Sequence, residues 1–238
     1  MTGVAVDDRA ANELPEGDEK RHDVEEMFDR VAPRYDRMNR IISLGLDRGW
    51  RRKTVAALEL TAGSRVLDLA CGTGDLANEL LAHGLAPVAV DFSAGMLAAA
   101  HTGAPLVRAD GAALPLAADA VDGVVCGFAL RNFVDLDVVF AECRRVLRSG
   151  GRFAALDATV PTNPVMQMGN AVWFRGIVPV LGRLVAHDRA AYSYLPRSTA
   201  YLPAHDTLAR RLEQAGFADA RVRTFTGGSV LLMTGTRT

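Results

Sequence analysis

Cysteine is scarce in this chain. Only Cys71, Cys126 and Cys143 occur in 238 residues, and none forms a C-x-x-C pair. That excludes a disulfide framework and a cysteine-built zinc site, and it fits a reducing compartment. Histidine is sparse too, at five, with no ligand spacing near the cysteines. Charge of either sign is not in excess: 27 basic and 28 acidic residues leave a net −1, so no nucleic-acid partner is expected. No run is long and clean enough to span a bilayer, since GIVPVLGRLVA is short and broken by Pro179 and Arg183. Residues 1–23 lack the basic and apolar regions of a secretory leader and read as a disordered tail. The local cluster Arg48, Arg51, Arg52 and Lys53 reads as a solvated helix face.

What is present is an alternation. Phe28, Val31, Tyr35, Met38 and Ile42 recur at helical spacing, which predicts an N-terminal helical cap over 24–60, broken near Pro33 and Gly45. Strands follow at RVLDLA, PVAVD, PLVRAD, VDGVVCGFA and RFAALDA. Helices are expected between them over Asp75–His83, Ser93–Ala100 and Leu136–Leu147. Such crossovers give a mostly parallel sheet with helices on both faces, an α/β fold. HDTLARRLEQAGF predicts a late helix capped by Asp206 and stopped by Gly216. The last strands, ADARVRTFT and SVLLMTGTR, are joined through GG and should form an antiparallel hairpin. Residues 24–238 therefore read as one domain of seven strands, with a helical insertion over 161–203 suited to holding a substrate.

VLDLACGTGDL (66–76) ends a buried strand in an acid and then crowds its glycines. Gly72, Gly74 and Ala77 fit the G-x-G-x-x-G/A spacing of a dinucleotide loop, so spacing alone leaves two ligands open. The acids separate them. A dinucleotide brings its diphosphate to the helix N-terminus, where anions are welcome. Here Asp68 lies in the strand and Asp75 opens the helix, a field that repels pyrophosphate and attracts a cation. S-Adenosyl-L-methionine carries a sulfonium, an ammonium and no phosphate. The glycines then let backbone approach it without an intervening Cβ. Asp91 closes the second strand, where an acid accepts from ribose hydroxyls of either nucleoside. Asp110, followed by Gly111, closes the third, where a carboxylate can accept from an adenine amino group. All lie at carboxyl ends of strands, the binding edge of an open α/β sheet.

Four further blocks, YDRMNRIISLGLDRGW (35–50), FALRNFVD (128–135), RVLRSGGRF (145–153) and LVAHDRAAYSYLPRSTAYLPAHDTL (184–208), resemble the ubiquinone/menaquinone biosynthesis methyltransferases. These belong to the Rossmann-like class I S-adenosylmethionine-dependent methyltransferases, and the resemblance runs from about Phe28 to the end. It implies transfer of a methyl group to a ring carbon of a prenylated quinol. Demethylmenaquinol is the expected substrate; a methoxy-polyprenyl-benzoquinol or another aromatic small molecule is the alternative. It places cofactor contacts at Thr73, Asp91, Asp110, Gly111 and Gly127, beside Asp68, Gly72 and Gly74 of the loop. The chain departs from the family pattern at Asp47 (usually His), Gly127 (usually Ser), Ala129 (usually Gly) and Asp157 in LDAT, where LEFS is usual.

Carbon methylation needs a nucleophilic ring carbon, which a quinol supplies once an oxygen loses its proton. That hydroxyl should titrate near ~10, like tyrosine. Arg131 is the permanent cation expected to stabilise the resulting oxyanion, the alternative being a surface pair with Asp135 or Asp137. Asn132 would orient a quinol oxygen or cap the next helix. Tyr35 and His187 complete the catalytic candidates, and the base stays open among His187–Asp188, Tyr35, Asp36 and a water near Asp91. A prenyl tail calls for an apolar passage. Met38, Ile41 and Ile42 near the start, with Met166, Met168, Trp173, Phe174, Ile177 and Val178 in the insertion, are the candidates. A lipid substrate also implies a cytoplasmic protein touching the inner face of the membrane, with Arg175 and Arg183 near that surface. A homodimer is a further expectation.

Overall fold

A computed structural model describes residues 16–178, 194 and 197–238, the side chains of 174, 175 and 177 excepted. Helices α1 (Gly17–Val31), α2 (Tyr35–Ile42) and α3 (Asp47–Ala56) precede the sheet. The core alternates β1 (Arg65–Leu69), α4 (Asp75–Ala82), β2 (Ala86–Asp91), α5 (Ala94–Ala98), β3 (Leu106–Arg108), β4 (Val121–Gly127), α6 (Leu136–Val146) and β5 (Leu147–Ala158). After it come α7 (Pro164–Ala171), a π-helical continuation Val172–Ile177, α8 (His205–Gln214), β6 (Phe217–Phe225) and β7 (Val230–Arg237).

The seven strands run in the order β3-β2-β1-β4-β5-β7-β6. β1 through β5 pair in parallel, and β7 pairs antiparallel with both β5 and β6. Order reverses between β1 and β4, so the ligand crevice belongs above their carboxyl ends. Strand residues alternate between two cores. Leu67, Val124, Phe153 and Leu231 face α6 and α8. Val66, Val125, Ala154 and Leu232 face α3 and α4. Period-two alternation within apolar strands thus buries both sheet faces.

Several expected boundaries move. Helix begins at Gly17, not after residue 23, because Asp18 and Glu19 suit its first turn and Lys20 finds a buried place. Asp206 is no cap: Ala204 holds the N-cap position of α8 without a side-chain bond, and Asp206 lies in the first turn. Ser93 does cap α5, accepting from the Met96 N–H at 3.0 Å. The final hairpin turns through Thr226–Gly228, with Gly227 and Gly228 at φ 64° and 94°.

Candidate active site

The glycine loop is forced into shape by backbone geometry. Gly72 and Gly74 take φ 56° and 91°, and a Cβ on Gly74 would stand 2.8 Å from Thr102. Gly74 is the N-cap of α4, so its role is the turn itself. Ala70 (φ 54°) after β1 and Phe128 (φ 60°) after β4 are also left-handed, strained conformations flanking the point where strand order reverses. Thr73 is buried and donates to Asp36 of α2 at 2.5 Å, tying the loop to the helical cap.

Asp68 is fully buried, and neither carboxyl oxygen meets a hydrogen-bond partner among the described residues. Burial pushes its carboxyl up to about 8; the Ala77 backbone N–H eases this without reaching hydrogen-bond geometry. A buried, unsatisfied carboxylate is costly unless a donor or cation arrives. The residues present therefore fit a ligand bearing an ammonium. The acidic field expected from sequence is weaker than its formal charges, because Asp75 pairs with Arg51 at 3.1 Å and Asp68 is held neutral below about 8. Among the described residues both Asp68 oxygens stay without a partner behind the loop, and Asp68 lines neither of the two cavities that meet at Tyr35.

Beside the loop lies a cavity of about 290 Å³, and Tyr35, Gly72, Asp91, Asp110, Gly111 and Asn132 all line it. Asp91 accepts from the backbone N–H groups of Gly72 (2.7 Å) and Ser93 (2.8 Å), and burial raises its carboxyl despite them. Asp110 accepts from the Ala112 N–H at 2.9 Å and pairs with Arg21 at 2.8 Å. A Cβ on Gly111 would stand 2.9 Å from the Phe133 ring, so backbone and ring close this end together.

Helix α1 covers that cavity, a role absent from the sequence reading. Lys20 donates to the Phe133 carbonyl at 2.7 Å and sits 3.8 Å from the Tyr201 ring centre. Arg21 reaches Asp110 and stacks over Phe92; Glu25 pairs with Arg108 at 2.9 Å. Asp29 accepts from the Ser93 hydroxyl at 2.5 Å and the Gly95 N–H at 2.8 Å. Arg21, Glu25 and Asp29 recur every four residues, and that charged stripe was the available signal.

A second cavity, of about 800 Å³, opens on the other side of Tyr35. Its wall includes Ile42, Trp50, Phe128, Arg131, Met166 and Trp173. Tyr35 lines both cavities. Arg131 is buried and pairs with the fully buried Asp157, not with Asp135 or Asp137; Asp137 pairs with Arg211 instead. It also donates to the Phe128 carbonyl (2.8 Å) and the Ser198 hydroxyl (3.1 Å), and its backbone N–H to Asp157 (3.1 Å). The sequence-flagged departures Asp157 and Asp47 thus have one physical role each, as the carboxylate facing a buried arginine. Asp47 is buried against Arg51 and accepts from the Ser43 hydroxyl at 2.8 Å. Gly127, like Asp68, Thr73 and Gly74, lines neither cavity; a Cβ there would meet Leu76 at 2.6 Å, so the position packs against α4. His187, Asp188 and Arg183 lie outside the described residues, as do the side chains of Phe174, Arg175 and Ile177. Burial raises all three thiols, Cys143 to about 12, which removes them as nucleophiles.

The model of the ubiE/COQ5 methyltransferase family matches residues 16–237. The chain belongs to that family. It is 41% identical over 232 residues to the demethylmenaquinone methyltransferase of Roseiflexus castenholzii (strain DSM 13941 / HLO8), covering 94% of this chain and 97% of that one. It is 44% identical over 216 residues to the demethylmenaquinone methyltransferase of Mycobacterium sp. (strain KMS), covering 90% and 94%. Among solved structures it resembles a SAM-dependent methyltransferase from Aquifex aeolicus, at 15% identity and TM-score 0.61 over 85% of this chain and 98% of that one. Haemonchus contortus phosphoethanolamine N-methyltransferase 2, solved with S-adenosyl-L-methionine, aligns at TM-score 0.58 and 15% identity over 82% of this chain and 57% of that one. The expected fold, a Rossmann-like methyltransferase with a closing antiparallel hairpin, holds.

Proposed function

We propose that this methyltransferase uses S-adenosylmethionine to methylate a ring carbon of demethylmenaquinol, with the two cavities holding cofactor and quinol. The observation that carries the reading is their meeting at a single side chain, Tyr35. S-Adenosylmethionine, when bound, supplies an electrophilic methyl group. Asp68 would accept from its ammonium behind the loop, and Asp91 and Asp110, which line the smaller cavity, would accept from ribose hydroxyls and adenine. Gly72 leaves open the approach between loop and Tyr35, since a Cβ there would stand 3.8 Å from that ring.

On the quinol side the residues must make negative oxygen tolerable. Tyr35 reports the local field, because its phenol resembles a quinol hydroxyl. Burial raises its value, while the Asn39 hydrogen bond and the charges of Arg51 and Arg131 pull it down. A quinol oxygen beside Tyr35 lies in the field of the same two guanidiniums, of which Arg131 lines the larger cavity. Arg131 cannot swing away, being fixed by Asp157, Phe128 and Ser198, so it offers a preorganised cation. Asn132, on the cofactor side, orients a polar atom at the seam. Most of the remaining task is alignment of two reactants across Tyr35. Both cavities are lined from one chain, so this scheme needs no homodimer. A prenylated substrate calls for peripheral contact with a membrane.

Purified protein, labelled S-adenosylmethionine and a short-prenyl demethylmenaquinol are expected to yield label on the naphthoquinol ring carbon, faster than on a matched benzoquinol. Label on oxygen, or transfer only to an unrelated phenol, would sink the reading.

A further inference from the structure

The rim of the second cavity is unlike the rest of the surface. Leu44 and Leu46 at the α2–α3 turn, and Val165, Met166 and Met168 on α7, line the cavity and yet are exposed. Leu44 is 70% exposed and Met168 67%, so these side chains face outward as much as inward. α7 buries none of its residues and carries no charge. A folded helix with an apolar, uncovered face marks an interaction surface.

Exposed arginines flank the α2–α3 turn in the chain. Arg37 and Arg40 on α2 and Arg48 and Arg52 on α3 are exposed. Their spacings of three and four residues put each pair on one helix face. The two acids of that span are engaged elsewhere, Asp47 with Arg51 and Asp36 with the Thr73 hydroxyl. Of the cluster Arg48, Arg51, Arg52 and Lys53 that reads as a solvated face in sequence, Arg51 is instead buried between Asp47 and Asp75, while Arg48 and Arg52 stay exposed after the apolar turn. Apolar side chains entering the headgroup boundary with cations beside them are the pattern of a monotopic membrane surface.

We propose that this face seats the protein on an anionic phospholipid bilayer. Leu44, Leu46, Val165 and Met168 enter the headgroup boundary, the exposed arginines meet lipid phosphates, and the second cavity opens towards the acyl region. This rests on the prenylated-quinol reading above. A second copy of the chain is the poorer occupant, because a two-fold contact here sets one group of arginines against another.

Co-sedimentation of the full chain tests it, with vesicles free of quinone. The protein is expected to pellet with phosphatidylcholine–phosphatidylglycerol vesicles, to stay in solution with phosphatidylcholine alone, and to be released by high salt. The triple variant Arg40→Glu/Arg48→Glu/Arg52→Glu should weaken binding by at least about fivefold per site. The matching Gln variants should show a smaller loss of the same sign, which separates charge from misfolding. Both should still methylate a short-chain, water-soluble quinol. Equal pelleting on the two vesicle types, no pelleting, or a solution dimer that the Glu variant disrupts overturns the proposal. Loss of soluble-quinol turnover by the unaltered chain, with vesicle binding intact, tells instead against the quinol reading.

Discussion

Helices α1 and α7 each wall one of the two cavities, and they are held in opposite ways. α1 is fastened by Lys20, Arg21, Glu25 and Asp29 to four points around the smaller cavity, and it buries Lys20, Met27 and Val31. α7 is capped by its own Asn163 and buries nothing. A polar cofactor of fixed size suits a cover with fixed polar anchors. A long apolar tail suits a wall of methionine and valine, adaptable in shape and indifferent to orientation. The two halves of the site are thus built on different physics, and Tyr35 is the seam, with Arg131 beside it on the larger-cavity side.

The largest expected effect is beside that seam. Asp157→Ala leaves Arg131 buried without its counter-charge and should cost about 3–5 kcal/mol. Urea unfolding measures it. A loss below about 1 kcal/mol would mean that Arg131 reaches water through the larger cavity, and the seam would then belong to the substrate half alone.

Next is the cofactor half by itself. Asp68→Asn keeps shape and hydrogen-bonding but cannot ionise. Cofactor affinity should fall about 10–100-fold, the worth of a charge-assisted bond. The Michaelis constant for quinol should hold. Calorimetry and steady-state kinetics on one preparation separate the two, and a matching loss on the quinol side would dissolve the division.

Strands and loop were legible in the sequence because they rest on local pattern. Apolar runs such as VLDL and VAVD announce a buried parallel sheet, and GTGD announces a turn that only glycine makes easily. Asp68, Asp91 and Asp110 were legible as an edge for the same reason. What stayed hidden depends on distant partners. Lys20 meets Phe133 across 113 positions, and Asp29 meets Ser93 across 64. Arg131 finds Asp157 26 positions on, in the next strand, so the acids beside it in sequence were the wrong partners. Asp75 looked like a free negative charge because Arg51 lies far upstream of it. The resemblance puts a cofactor contact at Gly127, and only the fold shows that Leu76 fills the space where a Cβ there would stand.

A smaller effect is the pH response of cofactor binding. Asp68 has its carboxyl raised from 3.8 to about 8, so the ligand-free fold holds a proton that the unfolded chain has lost. Stability of the ligand-free protein from this group is full below 3.8 and declines as pH rises towards about 8. A cationic ligand must expel that proton. Affinity should therefore rise by up to about tenfold per pH unit below about 8 and level off above. Calorimetry in buffers of different ionisation heat should detect the released proton, and Asp68→Asn should abolish it.

The smallest effect contrasts the two covers directly. Asp29→Ala removes the acceptor for the Ser93 hydroxyl and the Gly95 N–H at the α5 turn. It should loosen α1 by about 1 kcal/mol, read as lost hydrogen-exchange protection over residues 17–31. Val165→Ser on α7 touches a side chain that is 66% exposed and should change global stability by less than about 0.5 kcal/mol. If Val165→Ser proves the costlier of the two in vesicle-free solution, α7 packs against a partner even without lipid, and the contrast between a fastened cover and an open one fails.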